Sequence, residues 1–143
     1  EASPSANWRT YYDWTSSLNS LQDFNIDVRI TLPEDFSDFA DSDPVIQVNY
    51  NSASTDANNN KLDVTVYNAD DQPSVPVTQK LNNVSPQEKT WTTVDINKQD
   101  LLDGNSPDWN ALNKTAIISL KAYSKEDNYI QVGDIVIYYL AKF

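Results

Sequence analysis

Apolar and polar residues alternate strictly over residues 24–32 of this chain. Every second residue there is large and apolar, and the residues between them are Asn25, Asp27, Arg29 and Thr31. A strand that buries one face and exposes the other has this period of two. The same pattern recurs at 45–50, 61–68, 90–96 and 130–139. We therefore predict an all-β protein, a β-sandwich of two antiparallel sheets with about eight strands.

Two further stretches suggest where strands lie within the sheets. Residues 115–123 are apolar on both faces, which is typical of a central strand, whereas Pro76 interrupts residues 75–81 and places them at a sheet edge. Near the closing stretch, Gly133 and Asp134 shift the alternation by one residue, which predicts a β-bulge. The acidic segment 33–44 is predicted to be a long loop, and the polar segment 51–60 is predicted to be a loop that carries no core.

The length and the missing residue types bound the architecture and the chemistry. A chain of 143 residues fits one domain, which we assign to residues 7–143, with residues 1–6 as a tail or linker. Cysteine and histidine are both absent, so disulfides and Ser–His or Cys–His nucleophilic systems are excluded. Methionine is absent too, and we expect a processed product or excised module of a secreted or extracellular protein.

The strong acidity of the chain limits its partners. The formal net charge is -11, from 21 acidic and 10 basic residues, and the basic residues form no cluster. Such a surface repels nucleic acids and anionic membranes, and no apolar run approaches the ~20 residues of a membrane-spanning helix. We expect neither class of partner.

The abundance of aspartate is weak support for catalysis or for a metal site. Glycoside hydrolysis needs two suitably spaced carboxylates, but in so Asp-rich a chain some pair is inevitable. The acidic runs at 35–43 and 70–71 have the oxygen ligands that calcium prefers, yet such runs are usually solvated. No cofactor is required by the sequence, and a structural calcium stays an open alternative.

Aromatic and polar side chains together suggest a sugar-binding surface. Aromatic faces can stack on the C–H-rich faces of pyranose rings, while amides, carboxylates and lysines reach the hydroxyls. Outward-facing rows offer this mixture at Gln47 and Asn49, at Asp63, Thr65 and Tyr67, and at Ser119, Lys121 and Tyr123.

The aromatic segment 7–14, reading NWRTYYDW, divides between two faces in a strand. Alternation places Trp8, Tyr12 and Trp14 in one row, which we expect to be packed against the core. It places Tyr11 in the other row, between Arg9 and Asp13, in the polar company that a sugar site needs.

Three segments carry a resemblance to a known class of protein: LQDFNIDVRITL, KTWTTVDINKQDL and NYIQVGDIVIYYL. With this order of strands, the chain resembles the β-jelly-roll carbohydrate-binding modules attached to polysaccharide-degrading enzymes. The resemblance implies a structural role for Trp91, a binding ring at Tyr123 and a ring beside the cleft at Trp109. It also implies that Asp134, in the closing strand, orders nearby backbone or helps to bind a structural calcium.

We therefore hypothesise a non-catalytic module that binds a neutral plant-type polysaccharide, such as β-glucan, xyloglucan, mannan or xylan, in a groove. The candidate ligand-binding residues are Tyr11, Gln47, Asn49, Tyr67, Trp109, Lys121 and Tyr123. We expect a monomeric appendage of a glycoside hydrolase. A structural or adhesion β-sandwich of a cell-surface protein is the first alternative, and a small glycoside hydrolase or lyase is the second.

Overall fold

The structure, a computed structural model, describes residues 10–102, 109 and 114–142. The tail or linker assigned to residues 1–6 lies outside them. The described residues form ten strands and one short helix, namely β1 (Tyr12–Trp14), β2 (Gln22–Thr31), β3 (Phe36–Phe39), β4 (Ile46–Ser52), β5 (Lys61–Asn68), β6 (Gln72–Asn83), β7 (Thr92–Ile96), α1 (Lys98–Leu102), β8 (Thr115–Ser124), β9 (Ile130–Ile137) and β10 (Tyr139–Ala141).

Two four-stranded antiparallel sheets make up most of the fold. One has the strand order β1-β9-β4-β7, the other has β2-β8-β5-β6, and β10 pairs with β3 in a small third sheet. The pairs β1–β9, β2–β8, β4–β7 and β5–β6 are nested in the chain, as if one long hairpin had been rolled up. This nesting is the connectivity of a jelly roll. The predicted all-β sandwich and its main strands are confirmed.

The inner rows of the two sheets supply one hydrophobic core. Strand β8 contributes Ala116, Ile118, Leu120 and Ala122, all nearly inaccessible, and β4 contributes Ile46, Val48 and Tyr50. These residues alternate with less buried ones, so the period of two in the sequence decides which side chains face inward. The alternate residues of β8 from Ile117 to Tyr123 were predicted to point outward. They are half-buried.

Strand β9 contains the bulge that the sequence predicts. Val48 pairs with Ile135 and Tyr50 with Val132, so the two residues Gly133 and Asp134 lie opposite the single residue Asn49. Strand β6 lies at a sheet edge, as Pro76 indicates, and β8 lies centrally between β2 and β5.

Two expectations about the loops differ from the structure. Residues 33–44, predicted as a loop, contain strand β3, because Phe36 and Phe39 are buried and the strand pairs with β10. The polar segment 51–60, expected to carry no core, buries Asn51, Ser52, Ser54 and Asn60. Helix α1 is far too short to cross a membrane, and no longer apolar helix occurs in the described part of the chain.

Candidate functional site

An open groove of ≈ 340 Å³ runs over the outer face of the sheet β2-β8-β5-β6. All four strands contribute to it, and its lining is mostly polar. The lining residues are Asn25, Asp27, Asp63, Thr65, Tyr67, Gln79, Leu81, Ser119 and Lys121.

The strand register brings these side chains together. Lys121 on β8 lies between its register partners Asn25 on β2 and Asp63 on β5, and Ser119 likewise lies between Asp27 and Thr65. Gln79 on β6 is the partner of Thr65 and extends this second cross-strand row to the sheet edge. Because paired residues point to the same side of a sheet, the inward burial of the alternate residues leaves these groups on the outer face.

Tyr67 supplies the accessible aromatic ring of the groove. It is half-buried, and its register partners are Ile117 on β8 and Pro76 on β6. None of the side chains that the structure describes stacks on its ring or places a cation over it. Leu81 is 50% exposed at the groove. Tyr67 and Leu81 therefore present apolar surface next to a set of hydrogen-bonding groups.

Tyr123 lies beside the groove with its ring already engaged. The Lys61 ammonium group is 4.6 Å from the ring centroid, a cation–π distance, and the phenol donates a hydrogen bond of 3.3 Å to Asp63 Oδ2. Burial raises the pKa of Tyr123 above its ordinary value, and the negative charge of Asp63 raises it further. The phenol therefore stays protonated and remains a donor in neutral solution.

The carboxylates around the groove are held by nearby donors. Asp63 Oδ1 accepts a hydrogen bond of 2.7 Å from the backbone N–H of Asn82, and Asp27 Oδ1 accepts one of 2.5 Å from Ser119 Oγ. Asp23, at the same end as Tyr123, lies 3.9 Å from the ammonium group of Lys121. Charges of both signs thus alternate along the face, and the donors fix the positions of the acceptors.

The structure brings three of the seven predicted ligand-binding residues to this surface: Tyr67, Lys121 and Tyr123. Gln47 and Asn49 lie on β4 in the other sheet, where they face outward on the opposite side of the sandwich. Tyr11 precedes β1, is 45% exposed and lies against Trp91, with 5.9 Å between the ring centroids. The role of all these residues in ligand binding stays a prediction.

Trp109 is placed in the core and not beside the groove. Its side chain is 7% exposed, its ring meets Phe39 edge-on at 5.6 Å, and its indole N–H donates to the Leu101 carbonyl at 3.4 Å. The resemblance alone suggested a ring at the cleft border, and the sequence around Trp109 has no apolar–polar alternation that could have indicated its burial.

The first aromatic segment also differs from expectation, as far as it is described. Tyr12 was expected in a packed row, yet it is 63% exposed, because β1 is a short edge strand with nothing beyond it in its sheet. Trp14 is half-buried and stacks on Phe24 at 5.3 Å. Trp8 lies outside the described residues.

Sequence reasoning did not assign Asn25, Asp27, Gln79 and Leu81 to the site. The alternation in residues 24–32 does place Asn25 and Asp27 on the exposed face of their strand. The alternation does not show which strand lies next to this one, because the pairing of β2 with β8 joins residues about a hundred positions apart in the chain. Gln79 and Leu81 follow Pro76 in a strand whose register shifts more than once.

Asp134 is exposed in the bulge of β9, and its backbone carbonyl accepts a 3.2 Å hydrogen bond from Asn49 Nδ2. In the described ranges, no group of three or more acidic side chains is arranged to hold a metal ion. The structural calcium stays a prediction.

Comparisons with known proteins give one similar structure. No protein-family model matches the chain, and no curated protein matches it. Among solved structures, TmCBM61 in complex with β-1,4-galactotriose is similar, with a TM-score of 0.48 and 10% sequence identity, over 86% of this chain and 67% of that one. TmCBM61 is a carbohydrate-binding module.

Proposed function

We propose that this protein is a non-catalytic module that binds a neutral polysaccharide chain in the groove of the sheet β2-β8-β5-β6. One observation carries the proposal: the unengaged ring of Tyr67 lies in an open groove among hydrogen-bonding side chains from four strands. An aromatic face that borders fixed polar groups suits a pyranose ring, which has apolar C–H faces and a rim of hydroxyls.

The polar residues of the groove fit hydroxyl groups better than charged ligand groups. Asn25, Thr65, Gln79 and Ser119 offer neutral donors and acceptors across the sheet. The positive charge of Lys121 lies near the carboxylate of Asp23, and that of Lys61 lies over the ring of Tyr123. Both ammonium groups therefore already have a partner within the protein. A net charge of -11 adds general repulsion of acidic glycans such as pectate or alginate.

The groove is open to solvent and is lined by residues from all four strands, which suits an internal stretch of a long chain better than a single sugar. The expected ligands are the backbones of β-glucan, xyloglucan, mannan or xylan. We further propose that the module is secreted and that it directs a covalently linked glycoside hydrolase to its substrate.

A hydrolytic role fits these residues less well. Inverting and retaining glycosidases both need a carboxylic acid that can give a proton to the leaving group and a second carboxylate for water or the sugar. Asp27 and Asp63 instead accept hydrogen bonds from fixed donors of the sheet. Their roles are those of acceptors that position neighbouring groups.

Affinity electrophoresis tests the proposed function. The protein is run in native gels that contain β-glucan, xyloglucan, mannan, xylan or no polysaccharide, with pectate as the acidic control. Retardation by at least one neutral polysaccharide and none by pectate supports the proposal. Equal mobility in every gel contradicts it and favours a structural or adhesion domain, whereas release of reducing sugar from any of these polymers would favour a hydrolase.

A further inference from the structure

The outer face of the other sheet, β1-β9-β4-β7, carries a second set of polar and aromatic side chains. Gln47, Asn49 and Asn51 follow one another at every second position of β4, so all three point outward; we call them the amide row. Gln131 on β9, the register partner of Asn51, lies beside the row. Consecutive members are about 6.7 Å apart along the strand.

Hydrogen bonds hold each amide of the row in place. Gln47 donates to Asp95 Oδ1 at 3.2 Å and accepts from the Tyr138 phenol at 3.0 Å. Asn49 donates to the Asp134 carbonyl at 3.2 Å, and Asn51 donates to Gln131 Oε1 at 3.2 Å. An amide has two N–H donors and an oxygen that can accept two bonds, so each still has capacity for a ligand and loses little rotational freedom on binding.

Asn51 carries an unused acceptor. Its side chain is 8% exposed, and its Oδ1 atom accepts no hydrogen bond although it is buried. A buried polar atom without a partner costs roughly 1–3 kcal/mol. The oxygen is closed to solvent, so a ligand hydroxyl reaches it only after a neighbouring side chain moves, and the hydroxyl then supplies the missing donor.

An aromatic pair borders the amide row. Trp91 lies against Gly133, where a Cβ atom would be only 3.0 Å from its Cζ3 atom, and Tyr11 packs on Trp91 with 55° between the ring planes. Gly133 is the first of the two bulge residues of β9 and follows the buried Val132. The absence of a side chain at Gly133 lets the indole approach the backbone of β9, and Tyr11, 45% exposed, extends this ring surface toward solvent.

Three acidic side chains of the described residues lie near this face. Asp13 on β1, Asp95 on β7 and Asp134 on β9 are exposed at its margins. They disfavour phosphate, sulfate and carboxylate groups on a ligand. A neutral, hydroxyl-rich chain with apolar ring faces fits both the amides and the rings.

We propose that this face is a second glycan-binding site, so that one molecule binds two neutral saccharide chains on opposite sides of the sandwich. The inference extends the proposed function, binding of neutral glycans, to a surface that shares no residue with the groove. A module with two opposed sites links neighbouring polysaccharide chains, which a module with one site cannot do.

Two-dimensional NMR and calorimetry test this inference with neutral hexasaccharides of glucan, xylan, mannan and xyloglucan type. The side-chain amide signals of Gln47, Asn49, Asn51 and Gln131 report on the second face, and those of Asn25 and Gln79 report on the groove. We expect both sets to move on titration and calorimetry to give two ligands per molecule. Movement of the groove signals alone, with one ligand per molecule, overturns the inference and leaves the proposed function intact.

Variants separate the two sites. Tyr67→Ala removes the ring of the groove, and the pair Tyr11→Ala with Asn49→Ala alters the second face while leaving the Trp91–Gly133 contact in place. Each variant should bind one ligand, and the combination should bind none, with thermal midpoints recorded to show that all are folded. Binding lost only in the second-face variant upholds the inference and refutes the groove; no signal shift with any hexasaccharide refutes both.

Discussion

The ammonium group of Lys61 lies 4.6 Å from the centroid of the Tyr123 ring. A ring face covered by a cation is not free for a sugar, and the phenol of the same residue is bound to Asp63. Tyr123 thus contacts both Lys61 and Asp63 at the end of the groove, and its own part in ligand binding stays a prediction. The ring of Tyr67, two residues along β5 from Thr65, has no such contact with a described side chain.

Asn60 should be essential for stability. Its amide donates to Ser52 Oγ and to the Tyr129 carbonyl, both at 2.9 Å, and its oxygen accepts from Ser124 Oγ at 2.7 Å. The substitution Asn60→Ala leaves buried partners without it and should lower the free energy of unfolding by about 2–3 kcal/mol. Urea unfolding followed by fluorescence measures this loss.

Asn58→Ala is the matched control for that change. Asn58 lies in the same loop and is exposed, and within the described residues its side chain donates only to Asp56 Oδ1. Its substitution should change the free energy of unfolding by less than about 0.5 kcal/mol. Equal changes in the free energy of unfolding at both positions would show that the buried hydrogen bonds of Asn60 do not stabilise the fold more than those of an exposed side chain.

Asp70 should make the fold sensitive to acid. Its Oδ2 atom accepts backbone hydrogen bonds from Thr115 at 2.7 Å and Lys114 at 3.0 Å, and these bonds lower the pKa of the carboxyl below its ordinary value of 3.8. A lowered folded-state pKa stabilises the protein above pH 3.8, and this stabilisation is lost as the pH falls through the folded-state value. Asp70→Asn should therefore flatten the acid limb of the thermal midpoint plotted against pH.

The neighbouring change Asp71→Asn serves as its control, because the Asp71 carboxylate binds none of the side chains or amides in the described residues. Its pH profile should keep the shape of the unmodified protein. An unchanged acid limb in Asp70→Asn would assign the acid sensitivity to other carboxylates.

Trp109→Ala should destabilise the protein without removing a ligand contact. The ring is buried against Phe39, and loss of such a ring costs about 3–5 kcal/mol. Saccharide affinity, measured at a temperature where the variant is still folded, should be unchanged. A variant of normal stability with lost affinity would instead place Trp109 at the ligand.

Gly133→Ala should couple to Trp91. The added methyl group would lie 3.0 Å from the indole, so the indole must shift, at a cost of about 1–3 kcal/mol. In the Trp91→Ala background the nearest remaining atom is the Thr10 carbonyl oxygen at 3.7 Å, an ordinary van der Waals contact, so the cost should fall. A double-mutant cycle of the two changes measures this coupling, and additive effects would contradict the contact.

The sandwich could be predicted from the sequence because its signal is local. Strict alternation over residues 24–32 and 61–68, the doubly apolar stretch 115–123 and the shift at Gly133 each reflect which residues a strand buries. Strand β3 was missed since Phe36 and Phe39 are too few to show a period, and only their pairing with β10 reveals it.

The site could be predicted only in part for a related reason. Each strand identifies its own outward residues, and Tyr67, Lys121 and Tyr123 were found that way. Which outward rows become neighbours depends on pairing between distant strands, so Gln47 and Asn49 were grouped with residues that lie on the opposite side of the molecule. The exposure of a ring likewise depends on its tertiary neighbours. Tyr12 was expected to be packed and is exposed, whereas Trp109 was expected beside the cleft and is buried.

Titration calorimetry of Tyr67→Ala tests the central claim most directly, with the neutral saccharide that retards the unmodified protein. Tyr12→Ala, which removes an exposed tyrosine ring on β1, is the control. If the groove binds the chain through Tyr67, its affinity should fall at least about tenfold, or 1.4 kcal/mol, in Tyr67→Ala and stay unchanged in Tyr12→Ala, with equal thermal midpoints. Unchanged affinity of the groove site in a folded Tyr67→Ala protein would contradict the account.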